Sequence, residues 1–263
     1  MSQFKNKVVW ITGASSGIGR ELAIQLDKEG AKIVLSARNE EALINLNKSL
    51  KGENHLVLPL DLTNPDSFEK LTSQVICKFD NIDFLFNSGG VSQRSEVHET
   101  SLDIDRRIME VNYFGNIALT KAVLPYMRSQ KQGHIIVTSS IAGKFGFFLR
   151  SAYCASKHAL HGFYESLLLE EAKNNIHVTL VCPGKIKTPI SVNAIKADGN
   201  KHGEMDDNQA TGMPVEECVQ QMLKATKSKK KEVLIGNKEI KAVSLKRFFP
   251  ALFWKVIRKQ KAQ

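Results

Sequence analysis

Tyr153 and Lys157 stand four residues apart in Tyr153-Cys154-Ala155-Ser156-Lys157, about one helical turn, so both side chains leave the same face. Tyrosine is a poor proton-transfer group at neutral pH because its hydroxyl ordinarily titrates near about 10. A cation held within ~4–6 Å favours the phenolate and lowers that value. Lowering it by ~3 units takes about 4 kcal/mol of differential stabilisation, which a lysine can share with a cationic cofactor. The pair reads as a tuned acid/base. Because Y-x-x-x-K is common on exposed helix faces, its meaning depends on a cofactor site being built beside it.

A glycine-rich turn offers one. Thr12-Gly13-Ala14-Ser15-Ser16-Gly17-Ile18-Gly19 follows the apolar run Val8-Val9-Trp10-Ile11 and opens a helically spaced stretch over 17–29. Glycines there permit a tight turn, close backbone approach to a pyrophosphate and close packing of helix on strand. The helix N-terminus presents free N–H groups and a positive dipole end to the phosphates. The spacing G-x-x-x-G-x-G differs from the commoner G-x-G-x-x-G, so its place after the first strand carries the argument. After the second apolar run, Leu35-Ser36-Ala37-Arg38-Asn39 holds no acid. An NAD site usually presents Asp or Glu there to the ribose hydroxyls, whereas Arg38 suits a 2′-phosphate, which favours NADP(H).

An alternating frame has to position these residues. Apolar runs near 8–11, 32–35, 55–60, 82–86, 134–138, 178–181 and 233–235 read as strands. Helical patterns separate them near 17–29, 39–50 and 101–128, and around Tyr153 and Lys157. A further helix starts at Asn64-Pro65-Asp66, with Asn64 as N-cap and Pro65 at the first position. Strands alternating with helices predict a parallel sheet covered on both faces. Residues 1–240 read as one cofactor-binding and catalytic domain, with a polar, turn-rich lid near 190–213.

Composition narrows the class. The chain has 263 residues, 42% hydrophobic and 24% charged, which suits one α/β domain with a substantial core. No apolar run approaches the ~20 residues of a membrane span. The chain enters its first strand directly, leaving no room for a cleaved signal peptide, so a cytoplasmic location is expected. Cys77, Cys154, Cys182 and Cys218 lack metal-ligand spacing and read as reduced structural thiols. His158 and His161 read as helix-face residues, and no metal is expected. Residues 224–263 hold 13 Lys/Arg against 2 acids, a net of +11, against +10 for the whole chain. The body therefore carries about −1, which argues against a basic groove for nucleic acid.

These residues resemble the short-chain dehydrogenase/reductase family. Thr12 to Gly19, Asn87-Ser88-Gly89-Gly90, Ser140, Tyr153-x-x-x-Lys157 and Pro183-Gly184 fall in its order and spacing, from residue 5 to about 236. Asn87 to Ser95 and Tyr153 to Leu160 look like its family-member-7 branch. The resemblance implies a Rossmann-type doubly wound α/β fold with a mainly seven-stranded parallel sheet. It implies that Ser140, thirteen residues before Tyr153, holds the substrate carbonyl, with Ser139 structural. Lys157 would also hold the nicotinamide ribose, and the Asn112 backbone would anchor a water in a proton relay. Cofactor contacts are implied for Gly13, Ser15, Ser16, Gly17, Ile18, Gly19, Arg38, Asp61, Leu62, Asn87, Pro183, Ile186 and Thr188. Asp61 would face the adenine and Thr188 the nicotinamide amide. The family's N-N-A-G is N-S-G-G here, so Ser88 and Gly89 depart from it. A homodimer or homotetramer is also implied.

The expected chemistry is hydride transfer between NADP(H) and a small-molecule carbonyl or alcohol. Phe145, Phe147, Phe148 and Leu149, between Ser140 and Tyr153, read either as an apolar substrate wall or as core and oligomer packing. A nonenzymatic NADP(H)-binding sensor is the rival, but it should have lost Tyr153, Lys157 or Ser140. Sugar-nucleotide epimerases share Y-x-x-x-K and usually need a longer chain. The tail, 241–263, reads as a basic amphipathic helix: Leu245, Phe248, Phe249, Leu252, Phe253, Val256 and Ile257 alternate with Lys246, Arg247, Lys255, Arg258 and Lys259. Pro250 either starts the main helix or kinks it. Two readings stand side by side: peripheral contact with an anionic membrane, or docking on the chain's own domain or another subunit.

Overall fold

Along the strands, successive apolar side chains serve opposite layers, which is why the runs are apolar throughout rather than alternating with polar residues. In the computed structural model, which describes residues 2–260 apart from the Asn208 side chain, β1 is Val8–Thr12, β2 Lys32–Ser36, β3 Leu56–Val57 and β4 Phe84–Asn87. A short β5, Gln93–Arg94, is followed by β6 Gly133–Thr138, β7 Ile176–Pro183, β8 Ile195–Lys196 and β9 Glu232–Ile235. Seven of them form one parallel sheet in the order β3-β2-β1-β4-β6-β7-β9. The expected doubly wound architecture is therefore what the chain adopts.

The helices are α1 Gly17–Lys28, α2 Glu40–Ser49, α3 Phe68–Phe79, α4 Leu102–Met109, α5 Gly115–Gln130 and α6 Ser151–Glu171. They are followed by α7 Asp207–Ala210, α8 Val215–Lys227, α9 Lys241–Phe248 and α10 Pro250–Ile257. Val9, Ile11, Ile33, Leu35, Phe84 and Phe86 meet Leu22 and Leu26 of α1, Leu43 of α2 and Met222 of α8. Val8, Trp10, Val34, Leu85 and Ile135 meet Val75 of α3, Val123 of α5 and Leu160 and Tyr164 of α6.

Several predicted boundaries shift for local reasons. Regular pairing of β3 stops at Val57 although Leu58 and Leu60 still donate to Leu35 and Ala37; Pro59 between them has no N–H to give. β4 begins at Phe84 rather than Ile82, whose N–H goes to the Gln130 side chain. Asn64 and Pro65 open a 3-10 turn, Pro65–Ser67, leading into α3, and Asn64 makes no side-chain cap bond. The long helix expected over 101–128 is divided by a π-helical segment, Glu110–Phe114. Beyond it Gly115 packs so closely that a Cβ there would lie 2.0 Å from the Leu62 carbonyl oxygen.

The segment 190–213, expected as a lid, carries β8 and α7, and β8 pairs in parallel with β5, stitching it to the loop after β4. The tail is two short helices rather than one. The chain breaks at Phe249, and Pro250 starts α10 at its first turn. Of the two tail readings, docking on the own domain accounts for one face: Phe253 and Ile257 are buried against Phe145 and Ile141. Residues 261–263 of the predicted tail lie outside the described residues.

Candidate active site

The strand order reverses between β1 and β4, and a cleft of ≈ 1570 Å³ opens at the C-terminal ends of the strands there. Every predicted site residue lines it except Asn87 and Asn112. Two glycines show why the turn after β1 takes its form. Gly13 has φ +70, and a Cβ on it would meet the Gly89 backbone at 2.9 Å. A Cβ on Gly19 would lie 2.3 Å from the Gly13 carbonyl oxygen. Thr12 Oγ1 ties the two loops together by accepting from the N–H groups of Ser88 and Gly89. Gly89, a departure from the family pattern, is thus the residue against which Gly13 packs.

The start of α1 keeps its donors for a ligand. Ser16 at its N-cap makes no side-chain cap bond, and no acid stands in the first turn. Arg38 lies on the cleft wall, exposed, and its guanidinium forms no ion pair among the described residues. The Asp61 carboxylate accepts from the Thr63 N–H and hydroxyl, both at 2.9 Å. Leu62, Pro183, Ile186 and Thr188 supply apolar lining, with Thr188 beside Gly17. The glycine cradle, uncapped helix start and acid-free β2 tip fit a dinucleotide phosphate chain. Asn87 points elsewhere: its Nδ2 donates to Thr120 Oγ1 at 2.9 Å and Tyr164 Oη at 3.2 Å, between sheet and helices.

On the other side of the cleft the reactive groups meet. Ser140, at the end of the loop after β6, accepts from the Ala142 N–H at 3.1 Å and donates to the Pro183 carbonyl at 3.3 Å. Lys157 Nζ donates to the Thr138 carbonyl at 2.7 Å and lies 5.7 Å from the Tyr153 ring centre. Asn112, in the π segment, is fully buried; its amide accepts from the Val91 N–H and donates to the Val91 carbonyl and to Ser156 Oγ. It thereby clasps the loop after β4 to α6. Ser139 donates to the Lys157 carbonyl at 3.1 Å and bonds the His161 ring at 3.1 Å, a supporting position.

Burial dominates the electrostatics of the pair within the protein alone. Burial raises the Tyr153 hydroxyl; a hydrogen bond with Ser140 and the charges of Arg150 and Arg94 pull it down less. Burial also pushes Lys157 down to about 8.

Five participants were not legible beforehand. Gln93 Oε1 accepts from the N–H groups of Ala152 (2.9 Å) and Tyr153 (3.3 Å), capping the helix that carries Tyr153. The next residue, Arg94, forks onto Asp206 of the lid, its Nε 3.2 and 2.9 Å from the two carboxylate oxygens. Arg150, just before α6, reaches the same carboxylate at 2.9 Å. The only prior signal was the branch-like stretch Asn87 to Ser95. His161, expected on a helix face, is buried and pushed down to about 4 by burial first. It lies near Cys182 and Glu232, but the Lys144 ammonium sits 3.1 Å from its Nδ1 and 2.5 Å from Glu232, filling the place of a cation.

A parallel doubly wound sheet with a glycine cradle and a Ser–Tyr–Lys group at its switch point defines a nucleotide-dependent oxidoreductase. The short chain dehydrogenase family model matches residues 7–199. Dehydrogenase/reductase SDR family member 7B of Mus musculus is 42% identical over 260 residues, covering 96% of this chain and 80% of that protein. Family member 7 of Homo sapiens is 42% identical over 265 residues, covering 98% and 78%. Among solved structures, a short-chain dehydrogenase from Streptomyces avermitilis superposes with TM-score 0.83 at 27% identity, covering 98% of this chain and 99% of that one. A short chain dehydrogenase/reductase from Burkholderia phymatum in complex with NAD has the same fold, with TM-score 0.83 at 23% identity over 100% and 98% of the chains. The chain belongs to the short-chain dehydrogenase/reductase family, oxidoreductases that act between CH–OH and C=O groups with a nicotinamide cofactor.

Proposed function

We propose that this protein interconverts a lipophilic carbonyl and its alcohol using NADP(H), with Tyr153 as the acid/base. The observation that carries this reading is the meeting of Tyr153, Ser140 and Lys157 in the same cleft as the glycine turn. The nicotinamide supplies or accepts the hydride when bound. Ser140, one hydrogen bond from Tyr153, holds the carbonyl oxygen and stabilises its developing charge. Tyr153 gives that oxygen its proton in reduction and takes it back in oxidation. Lys157, anchored by one N–H on Thr138, keeps two N–H groups for the ribose. The Asn112 backbone carries the proton relay behind it.

Arg38 on the cleft wall and the acid-free end of β2 support the 2′-phosphate form. For Arg38→Ala, the ratio of kcat/KM with NADPH to that with NADH should fall by about tenfold or more, as loss of a charged hydrogen bond predicts. An unchanged ratio would reject Arg38. Phe145 and Phe147 on the wall support a lipophilic substrate. An NADPH-consumption screen across carbonyls of rising chain length tests the whole reading: turnover should rise with chain length. Binding of NADPH without turnover of any carbonyl would instead favour a sensor. A homodimer or homotetramer belongs to the same proposal, and light scattering on the purified protein decides it.

A further inference from the structure

The two tail helices have an inner and an outer face, and the two differ in chemistry. Inward, Phe253 is 1% exposed with its ring centre 5.3 Å from that of Phe145, and Ile257 packs beside it. Lys246 Nζ donates to the Lys144 carbonyl at 2.9 Å. Phe145 and Lys144 lie on the segment between Ser140 and Tyr153, so the tail is seated on the substrate side of the cleft. Leu245, Phe248, Phe249 and Val256 line that cleft.

Outward, Phe248 and Phe249 are 67% and 62% exposed, and Leu252, Trp254 and Val256 are between 41% and 50% exposed. Phe248 and Phe249 both line the cleft and face solvent, which puts them at its mouth. Residues 241–260 hold six Lys/Arg and no acid. Arg247, Lys255, Arg258 and Lys259 are exposed beside the apolar side chains. A Trp, two Phe and a Leu standing among cations are matched by a lipid interface, where rings and chains enter the acyl boundary and cations meet anionic headgroups. A second copy of the chain is a poor occupant, because a self-complementary contact brings two acid-free cationic faces together.

We propose that the outer face of α9 and α10 seats this protein on an anionic lipid surface and that its carbonyl substrate passes from that surface into the cleft between Phe248 and Phe249. The second half rests on the lipophilic substrate reading; the first does not.

Trp254 reports the seating directly, because the other tryptophan, Trp10, is fully buried and out of reach of a collisional quencher. Full-length protein is mixed with vesicles of phosphatidylcholine alone or with a third phosphatidylglycerol. With the anionic vesicles the protein should co-sediment, its emission shift to the blue and its acrylamide quenching fall at least about threefold, with half a molar salt reversing the effect. The triple variant Leu252→Ser, Lys255→Glu, Arg258→Glu alters only residues off the cleft wall. It should lower partition by about tenfold or more while keeping the wild-type circular dichroism and melting profile. Equal binding to both vesicle types, or none to the anionic ones, overturns the seating. So does lipid-free self-association that protects Trp254. For the second half, anionic vesicles should raise kcat/KM for a long-chain carbonyl by about fivefold or more in wild type and not in the triple variant, leaving a short water-soluble carbonyl unaffected. Equal acceleration of both carbonyls, or of neither, overturns uptake from the surface. Absence of turnover with any carbonyl removes both uptake and the proposed function, while sedimentation still decides the seating.

Discussion

The two sides of the cleft are built by different means. On the nucleotide side, shape comes from backbone: Gly13 against Gly89, Gly19 against the Gly13 carbonyl, and an uncapped helix start. On the substrate side it comes from side chains far apart in sequence. Gln93 caps the helix of Tyr153, and Arg94 and Arg150 grip Asp206 of the lid. The turn from Gly13 to Gly19 is written in a few adjacent letters, and Gly89 meets it from the loop after β4. A buried ion cluster of the second kind depends on where the chain folds back, and it is held by charges whose loss is costly.

If that contrast is right, mutations on the two sides should separate in their kinetics. Asp206→Ala takes the shared carboxylate from the buried Arg94 and the part-buried Arg150, a loss of about 3–5 kcal/mol for a pair of this kind. Its expected signature is a lid released to proteolysis and a large rise in substrate KM, with the NADPH dissociation constant within about threefold of wild type. Gly19→Ala should do the converse. The added methyl forces the turn open at about 1–3 kcal/mol, weakening NADPH binding about tenfold or more with little change in substrate KM at saturating cofactor. Equal shifts of both constants in both variants, measured by fluorescence titration and steady-state kinetics, would dissolve the distinction.

Acid stability gives a smaller and graded effect. Burial pushes His134 down to about 3 and His161 down to about 4, so both stay neutral in the folded protein while an unfolded histidine titrates near about 6.5. Between those values the unfolded chain binds more protons, so stability falls on acidification from pH about 6.5 towards 4. Each histidine contributes at most about 1.4 kcal/mol per pH unit. Thermal melts from pH 7 to 4.5 should show this slope. His134→Asn and His161→Asn should each flatten it, His161 being the one that supports Ser139 behind the active site.

The same contrast explains how much could be read in advance. Seven strands and the glycine turn were legible because a two-sided apolar core and a tight phosphate loop leave local signatures. Tyr153, Ser140 and Lys157, ordered along the chain by a resemblance, line one cleft in the structure. The link from Arg94 to Asp206 spans 112 residues and has no periodicity to betray it. The π segment at Asn112 was hidden because the pattern over 101–128 is helical on both sides of it. Burial, which acts on Tyr153 and Lys157 together, left no mark in the sequence because spacing reports distance alone. Asn87 sits at the expected strand end, but its amide serves Thr120 and Tyr164.

The central claim is that Tyr153 moves the proton in a hydride transfer. Single-turnover and steady-state NADPH oxidation by Tyr153→Phe, with a carbonyl that wild type reduces, tests it most directly. NADPH should bind with its affinity within about threefold of wild type, and kcat should fall by about 10³-fold or more, at the upper end of the range for a lost general acid. Turnover within about tenfold of wild type in that variant would contradict the account.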